Sequence, residues 1–544
     1  MTDDPLQKFS LPSFKDGYNS YSLTRSQIKD TEVSGGQNTR ADDNGAMAKR
    51  KGKVFASPLM QTGYPISALG QLKKVSGLTK LLASGTGIYS FTDTTSTLLT
   101  GNTFTPAPAE QCSFTSAVGR CYFNNGIDAP YYTSDGATLV AQAGSFPAKY
   151  VRFYNQRLYC VRPQYPDRVY FSNSVDPLPT SSATEPQPYT YGNFGTYTVN
   201  LSLTPIQNAG FLMFLPDSGV VITDLHTKGN SLFVYTLEHG IWQIDSIDTL
   251  NTNGTVSHRV QQLIKSGGCP APLSVFTSDN DQFFYGSDNV YSLGEVALYQ
   301  ALRTTPKSGR VQSDMRSVPS ASLSKVVSVQ FKNADYIFYT NGAYNDRCLV
   351  LDKVLNAWST PYVGWNVSCG QVYYETDGRI RFLAGSSNPA DPRVYELEIG
   401  TDDNGTPIDA NFRDKLSNCG VSGRVKRFAF SNIFYSSIIG SLNFSAYIDG
   451  TLVASGIVSA KGSNVSAHGV GSQQVGLSQV GRDAVGGITS PVLTLSDSYF
   501  VIDLNYTAGE KMEIVYQNGN TGEQYRILGR DNYFILGDPN ERLI

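Results

Sequence analysis

"DYIFYTNGAYNDRCLVLDKVLNAWS", residues 335–359, consists of two apolar stretches folded around a Gly-containing polar turn, followed by an Asp-led turn and an aromatic residue. The runs at 337–340 and 348–352 read as the two strands of a β-hairpin. Asp352 then opens a turn that delivers Trp358, an aromatic placed to pack between neighbouring sheets. One hairpin cannot bury both of its faces in water. A chain made of such units has to cover each with the next.

The pattern recurs along the chain. It is read in "TKLLASGTGIYSF" (79–91), "GRCYFNNGIDAPYYTSDG" (119–136), "RLYCVRPQYPDRVYFSN" (157–173), "NSLFVYTLEHGIWQI" (230–244), "DQFFYGSDNVYSLG" (281–294) and "GRIRFLAGSSNPADPRVYELE" (378–398). Leu82, Cys121, Leu158, Leu232, Phe283, Ile337 and Ile380 serve as equivalent anchors, at spacings of 39, 37, 74, 51, 54 and 43. Most of these match the blade length of a propeller, and the outliers hold insertions. The expected fold is all-β: a degenerate β-propeller of about seven blades with rim insertions, then an antiparallel β-sandwich or barrel.

Composition agrees. The 544 residues include 33 Tyr, 27 Phe and 51 Gly, with 16% charged, which suits pleated surfaces and tight turns. Net charge is −3, so nothing global argues for adhesion to nucleic acid or an anionic membrane. The start has no apolar run of the signal-peptide kind and no stretch reaches membrane-helix length. Seven scattered Cys without a C-x-x-C pair read as buried free thiols.

Three regions are expected: an arm and hairpin over residues 1–62, the propeller over 63–410, and the sandwich or barrel over 411–544. In the last, Asp-Gly, Ala-Gly and Asn-Gly turns join longer strands. Propeller insertions are expected near 174–224, rich in Pro, Thr and Tyr, and near 292–325. There Ser292 and Glu295 fit a capping box opening a helix. Residues 459–488 are a Gly/Ser/Val/Gln stretch without periodicity.

Catalytic and metal signatures are missing: no nucleophile elbow, no P-loop, no H-E-x-x-H, and four isolated His. Blade-turn acids such as Asp135, Asp279, Asp377 and Asp391 could serve a glycosidase, but Asp before Gly or Asn usually serves the turn itself. The expectation is a non-enzyme without metal or cofactor. "TRADDNGAMAKRKGKV" (39–54) holds an Asn-Gly hairpin turn and then Lys49, Arg50, Lys51 and Lys53. That cluster reads as a strand balanced by Asp42 and Asp43, as a protein contact, or as a phosphate contact.

With these residues in view, "FKDGYNSYSLTRSQIKDTEVSGGQNTRADDNGAMAKRKGK" (14–53) resembles the opening of many phage structural proteins. The likeness rests on Gly17, Lys29-Asp30-x-Glu32, Gln37-Asn38, Asp42 to Gly45 and Lys49 to Gly52. Lys51 stands where such openings often have Pro. The whole looks like the tail nozzle or hub proteins of short-tailed bacteriophages, also called packaged-DNA stabilisation or tail tubular B proteins. The resemblance implies a homo-hexameric ring in the virion tail, assembled in the host cytoplasm. It implies contacts with a portal-proximal adaptor ring and tail fibres, and genomic DNA passing without sequence-specific binding. Within that picture the 459–488 loop, with Gln473, Gln474, Gln479 and Arg482, or a rim insertion such as 174–224, is the candidate channel or gate element. Two alternatives stand beside it: a receptor- or carbohydrate-binding propeller stacking sugars on Trp242, Trp358 and Trp365, and a propeller glycoside hydrolase.

Overall fold

The computed structural model describes residues 5–537 apart from residues 22–24, 75–76, 102, 118, 143–145, 156, 173–209, 216–217, 251–255, 266, 295–305, 341, 343, 460–491 and 496–498. The chain forms two compact units. One gathers Met1–Lys53, Leu349–Val363 and Glu398–Ile544; the other holds Val54–Cys348 and Gly364–Leu397. Composition places the boundaries at residues 62 and 410. The structure moves them because strands of the N-terminal arm are hydrogen-bonded into the C-terminal sheets.

In the second unit the first two strands of seven sheets follow in chain order, each pair antiparallel. Their first strands are Ile66–Lys74, Ser113–Ala117, Lys149–Tyr154, Ile222–Lys228, Phe276–Ser278, Val327–Phe331 and Val367–Tyr374. Each lies beside the next. Between the fourth and fifth sheets the link runs through the 3-10 turn Pro272–Ser274, and Val367–Tyr374 returns to Ile66–Lys74. The series therefore closes into a seven-bladed β-propeller. Lys53–Phe55, from ahead of the first blade, supplies the outer strand of the seventh, beyond Val394–Leu397. There Ala56 N donates to Val394 O at 2.8 Å, and Val394 N donates to the Ser57 hydroxyl at 2.9 Å.

All seven sequence anchors fall on the second strand of successive blades. Those strands carry apolar side chains on both faces because a neighbouring blade covers each; Arg120–Asn124 and Ala334–Tyr339 are buried at every residue. The cores lie between blades. Leu72, Leu81, Cys121 and Phe123 join the first two, and Leu82, Phe91, Cys369 and Leu383 join the seventh to the first. Each such apolar side chain contributes roughly 1.5–3 kcal/mol by leaving water. All seven thiols are free and buried.

The long spacings have visible causes. The third blade's last two strands, Tyr165–Phe171 and Gly210–Met213, are separated by residues outside the described set, where most of the 174–224 insertion falls. The fourth blade ends in a long hairpin, Ile241–Leu250 with Val256–Ile264. In the fifth, three strands are followed by helical turns at Gly309–Val311, Gln312–Arg316 and Ser320–Lys325. Ser292 ends a strand and its hydroxyl donates to Asp281, while Glu295, the other half of the expected capping box, lies among residues 295–305, outside the described set.

The first unit is a β-sandwich. One sheet orders Val492–Leu495, Tyr499–Gly509, Lys426–Ile439, Gln524–Leu536, Met47–Lys49 and Thr39–Ala41, with Gln7–Leu11 also on Gln524–Leu536. The other orders Thr451–Ser459, Ser441–Ile448, Met512–Asn518, Ala410–Arg413 and Gly35–Gln37. Strict alternation buries Leu442, Phe444, Ala446 and Ile448, and Asp449-Gly450 makes the two-residue turn into the next strand. Rings meet across the layers, Phe444 with Phe500 at 5.9 Å and Phe412 with Tyr525 at 6.1 Å.

An ion pair sits inside this core. Arg530 Nε lies 3.0 Å from Asp414 Oδ2, both side chains at 0% exposure, and Ile514 N donates to Asp414 Oδ1 at 2.8 Å. Removing one partner strands a charge without water. Arg530→Ala should therefore lower stability by about 3–5 kcal/mol, read from the urea midpoint. Replacing both partners, Arg530→Met with Asp414→Leu, should recover most of that loss.

Candidate functional site

Gly17, Glu32, Gln37, Asn38, Asp42, Gly45, Lys49 and Arg50 of the arm have structural work in the first unit. Gly17 pairs with Trp358 and with Glu32 through parallel bridges. It holds φ +69, and a Cβ there would lie 2.4 Å from Trp358 O, so no other residue fits. Glu32 is 2% exposed and accepts from Asn19 Nδ2 and Lys29 N, each at 2.9 Å. Gln37 Nε2 donates to Asp409 Oδ2 at 3.0 Å. Asp42 Oδ1 accepts from Asn44 N and Ala46 N at 3.0 Å, and Gly45 takes φ +74 to close the hairpin of Thr39–Ala41 with Met47–Lys49. In the Asn44-Gly45 pair, Gly45 carries the positive φ.

Arg50 is the centre of this arrangement. Its guanidinium grips Asp403 with both terminal nitrogens, at 2.9 and 2.6 Å. Its Nε donates to Asn38 Oδ1 at 2.8 Å, and its other bonds reach Lys51 O and Val363 O. Asn38, at φ +59, completes the knot by accepting from Val363 N at 2.8 Å and donating to Asp409 O at 2.7 Å. Lys49 Nζ donates to Asn518 Oδ1 at 3.0 Å, and burial pulls its pKa below the usual lysine value. Lys53 is 9% exposed; of the four cations only Lys51 is exposed.

The expected phosphate or partner contact at Lys49, Arg50 and Lys53 is thus corrected: these cations are spent inside their own unit. Asp403, 353 positions away in sequence, answers Arg50 in place of Asp42 or Asp43. Gln473, Gln474, Gln479 and Arg482 lie outside the described residues.

The propeller axis is narrow at one end. The 3-10 turns Ala109–Gln111, Pro272–Ser274 and Ser320–Lys325, each leading into a first strand, meet with Cα atoms within 8 Å. A DNA duplex has a major groove that is alone about 12 Å wide. Around the axis, polar side chains stitch neighbouring blades. Ser116 Oγ donates to Gln71 O at 2.5 Å, Arg152 to Asp224 Oδ1 at 3.1 Å, Ser278 Oγ to Asp335 Oδ1 at 3.1 Å, and Tyr373 hydroxyl to Gly70 O at 2.9 Å. First and seventh blades also share an ion network in which Arg381 holds Glu396 at 2.6 Å and Asp93 at 2.8 Å.

The candidate catalytic acids are dispersed turn residues. Burial pushes the Asp135 carboxyl up, but backbone N–H groups of Thr138 and Ala137 outweigh it and hold it at about 2. Asp377 is tied to Arg379 at 2.6 Å, and Asp391 to Arg393 at 3.1 Å. Asp279 sits in a turn at φ +49. The sugar-stacking reading of the tryptophans is corrected too: Trp358 and Trp365 are 2% and 0% exposed, and Trp242 packs on the core beside Phe214 at 5.5 Å. Among the described residues no group of three or more His, Cys, Asp or Glu could hold a metal ion. None of the described helices is long and apolar enough to cross a membrane.

No protein-family model and no curated protein sequence matches the chain. Solved structures do match. The AfRom2 CNH domain is 8% identical, covering 64% of this chain and 99% of its own, at a TM-score of 0.37. The Neurospora crassa Pan2 WD40 domain is 11% identical, covering 65% and 97%, at 0.35. Saccharomyces cerevisiae Sqt1 is 9% identical, covering 63% and 99%, at 0.35. These likenesses concern the fold alone.

Two outcomes follow. Arg50→Ala should destabilise the sandwich unit by about 3–5 kcal/mol in urea unfolding, while Lys51→Ala should leave it within about 0.5 kcal/mol. His258, whose Nε2 lies 3.0 Å from the Tyr159 hydroxyl, is held down to about 4 by burial and then by Arg157. The unfolded chain takes up that proton near pH 6.5 and the folded chain resists it, so stability falls between pH 6.5 and 4. His258→Gln should shrink the fall of the melting temperature over that interval.

Proposed function

We propose that the chain is a structural component of a short phage tail: a nozzle or hub ring that extends the DNA channel below the portal adaptor, retains the packaged genome and opens for ejection. One observation carries this reading. The arm motif shared with such proteins is not decoration, because Gly17, Glu32, Gln37, Asn38, Asp42, Gly45 and Arg50 each fix backbone in the first unit.

Two further features favour mechanical work. The blade axis is too narrow for a duplex, so the conduit is enclosed by several copies side by side, six in the proposed ring. Net charge of −3 with Lys49, Arg50 and Lys53 buried favours a wall on which DNA phosphates are weakly held, as passage through a channel requires. The candidate acids sit in separate turns, Trp358 and Trp365 are buried and Trp242 is half-buried against Phe214, which favours this reading over the hydrolase and sugar-binding alternatives.

Electron microscopy of assembled particles carrying a tag on this chain tests the proposal. The expected image is a sixfold ring on the tail axis with genome density running between subunits and none through a propeller. A trimeric fibre position, or particles lacking the tag altogether, would overturn it.

A further inference from the structure

The second blade has an outer strand of two residues, Val140–Ala141, whereas the third blade's outer strands are Tyr165–Phe171 and Gly210–Met213. The register pairs Arg168 with Met213 and Tyr170 with Phe211, so these four side chains share one face. Val169 and Leu212 point the other way, into the core with the fourth blade. The first face stays open: Tyr165, Phe211 and Met213 are 42%, 44% and 40% exposed.

Two guanidiniums are interleaved with the rings on this face. Arg162 lies 4.2 Å from the Phe146 centroid and 5.5 Å from that of Tyr170; Arg168 lies 4.7 Å from Tyr165 and 5.2 Å from Phe211. Phe146, Tyr170 and Phe211 form a ladder at 5.0 and 5.6 Å. Stacking holds the guanidinium planes in place, but their donors are poorly used. Arg162 donates to the Gln164 side chain at 3.2 Å, and Arg168 Nε is 3.6 Å from Asp167, its sequence neighbour. Arg152 and Arg381 on the same propeller are by contrast matched to carboxylates at 3.1 Å and 2.6 Å.

From this we infer that the outer face and edge of the third blade form a docking site for an extended acidic segment of a partner protein. Among the described residues Gly210–Met213 ends its sheet with one neighbour, so its outer backbone groups can receive an added strand. Carboxylates of that strand meet Arg162 and Arg168, which suit planar two-point recognition. The aliphatic stems of the same glutamates lie over Phe211 and Met213, while the alternate apolar side chains fall on the opposite face, beside Leu212. Aromatic residues, Met and Arg with few Lys or Glu are the make-up of binding hot spots. A nucleic acid would gain nothing from the strand edge and would meet Asp167. The inference stands on this blade alone and does not depend on a role in a virion.

Fluorescence anisotropy of the full chain with a labelled peptide of alternating valine and glutamate tests it, with a valine–lysine peptide, oligothymidine and heparin as competing probes. The glutamate peptide should bind, and Arg168→Gln or Arg162→Gln should each weaken it about tenfold, one charge-assisted hydrogen bond's worth. Phe211→Glu, which puts a like charge on the face, should weaken it at least as much; melting curves of each variant confirm the fold. Unchanged affinity in these variants, equal binding of the lysine peptide, or binding of oligothymidine or heparin in place of the glutamate peptide would overturn the inference.

Discussion

Everything in the first unit depends on one charge that cannot remain alone. Arg50 is 2% exposed, and a guanidinium in that position is tolerable only because Asp403, Asn38 and two backbone carbonyls surround it. The partners come from three separated stretches of chain. Satisfying this one side chain therefore fixes the arm, the 349–363 hairpin and the start of the C-terminal segment in register with one another. Thr39 and Thr360 add a hydroxyl pair at 2.9 Å to the same seam. The arm is thereby a part of the sandwich, completing both of its sheets.

The propeller reaches stability differently. No single contact dominates it; small cores between neighbouring blades share the load, and polar side chains near the axis tie the blades to one another. That division explains which substitutions matter. Loss of one apolar side chain loosens one seam, whereas loss of Arg530 or Arg50 leaves a buried partner without its counter-charge.

The blade count was legible because its signal is local. Leu82, Cys121, Leu158 and the four later anchors sit on strands covered on both faces, and such strands must be apolar whatever their neighbours are. The Asp449-Gly450 turn was legible for the same reason. The reading of Lys49, Arg50 and Lys53 failed because their partners, Asp403 and Asn518, lie hundreds of residues away and nothing in the local pattern names them. The tryptophans misled similarly: blade position alone did not tell whether a ring covers a seam or faces water. Unit boundaries were missed because the arm's strands, short and weakly patterned, acquire their identity only from the sheets they join.

The closing strand of the propeller, Lys53–Phe55, and the arm strands Gln7–Leu11, Gly35–Gln37 and Met47–Lys49 share a property that only appears when time is considered. Each leaves the ribosome long before a strand it pairs with. The seventh blade cannot be sealed until Val394–Leu397 has been synthesised, and the sandwich waits further, for Gln524–Leu536. Each of these strands waits for that partner while hundreds of residues are added, and pairing across such sequence distances is intrinsically slow and exposes strand edges in the meantime.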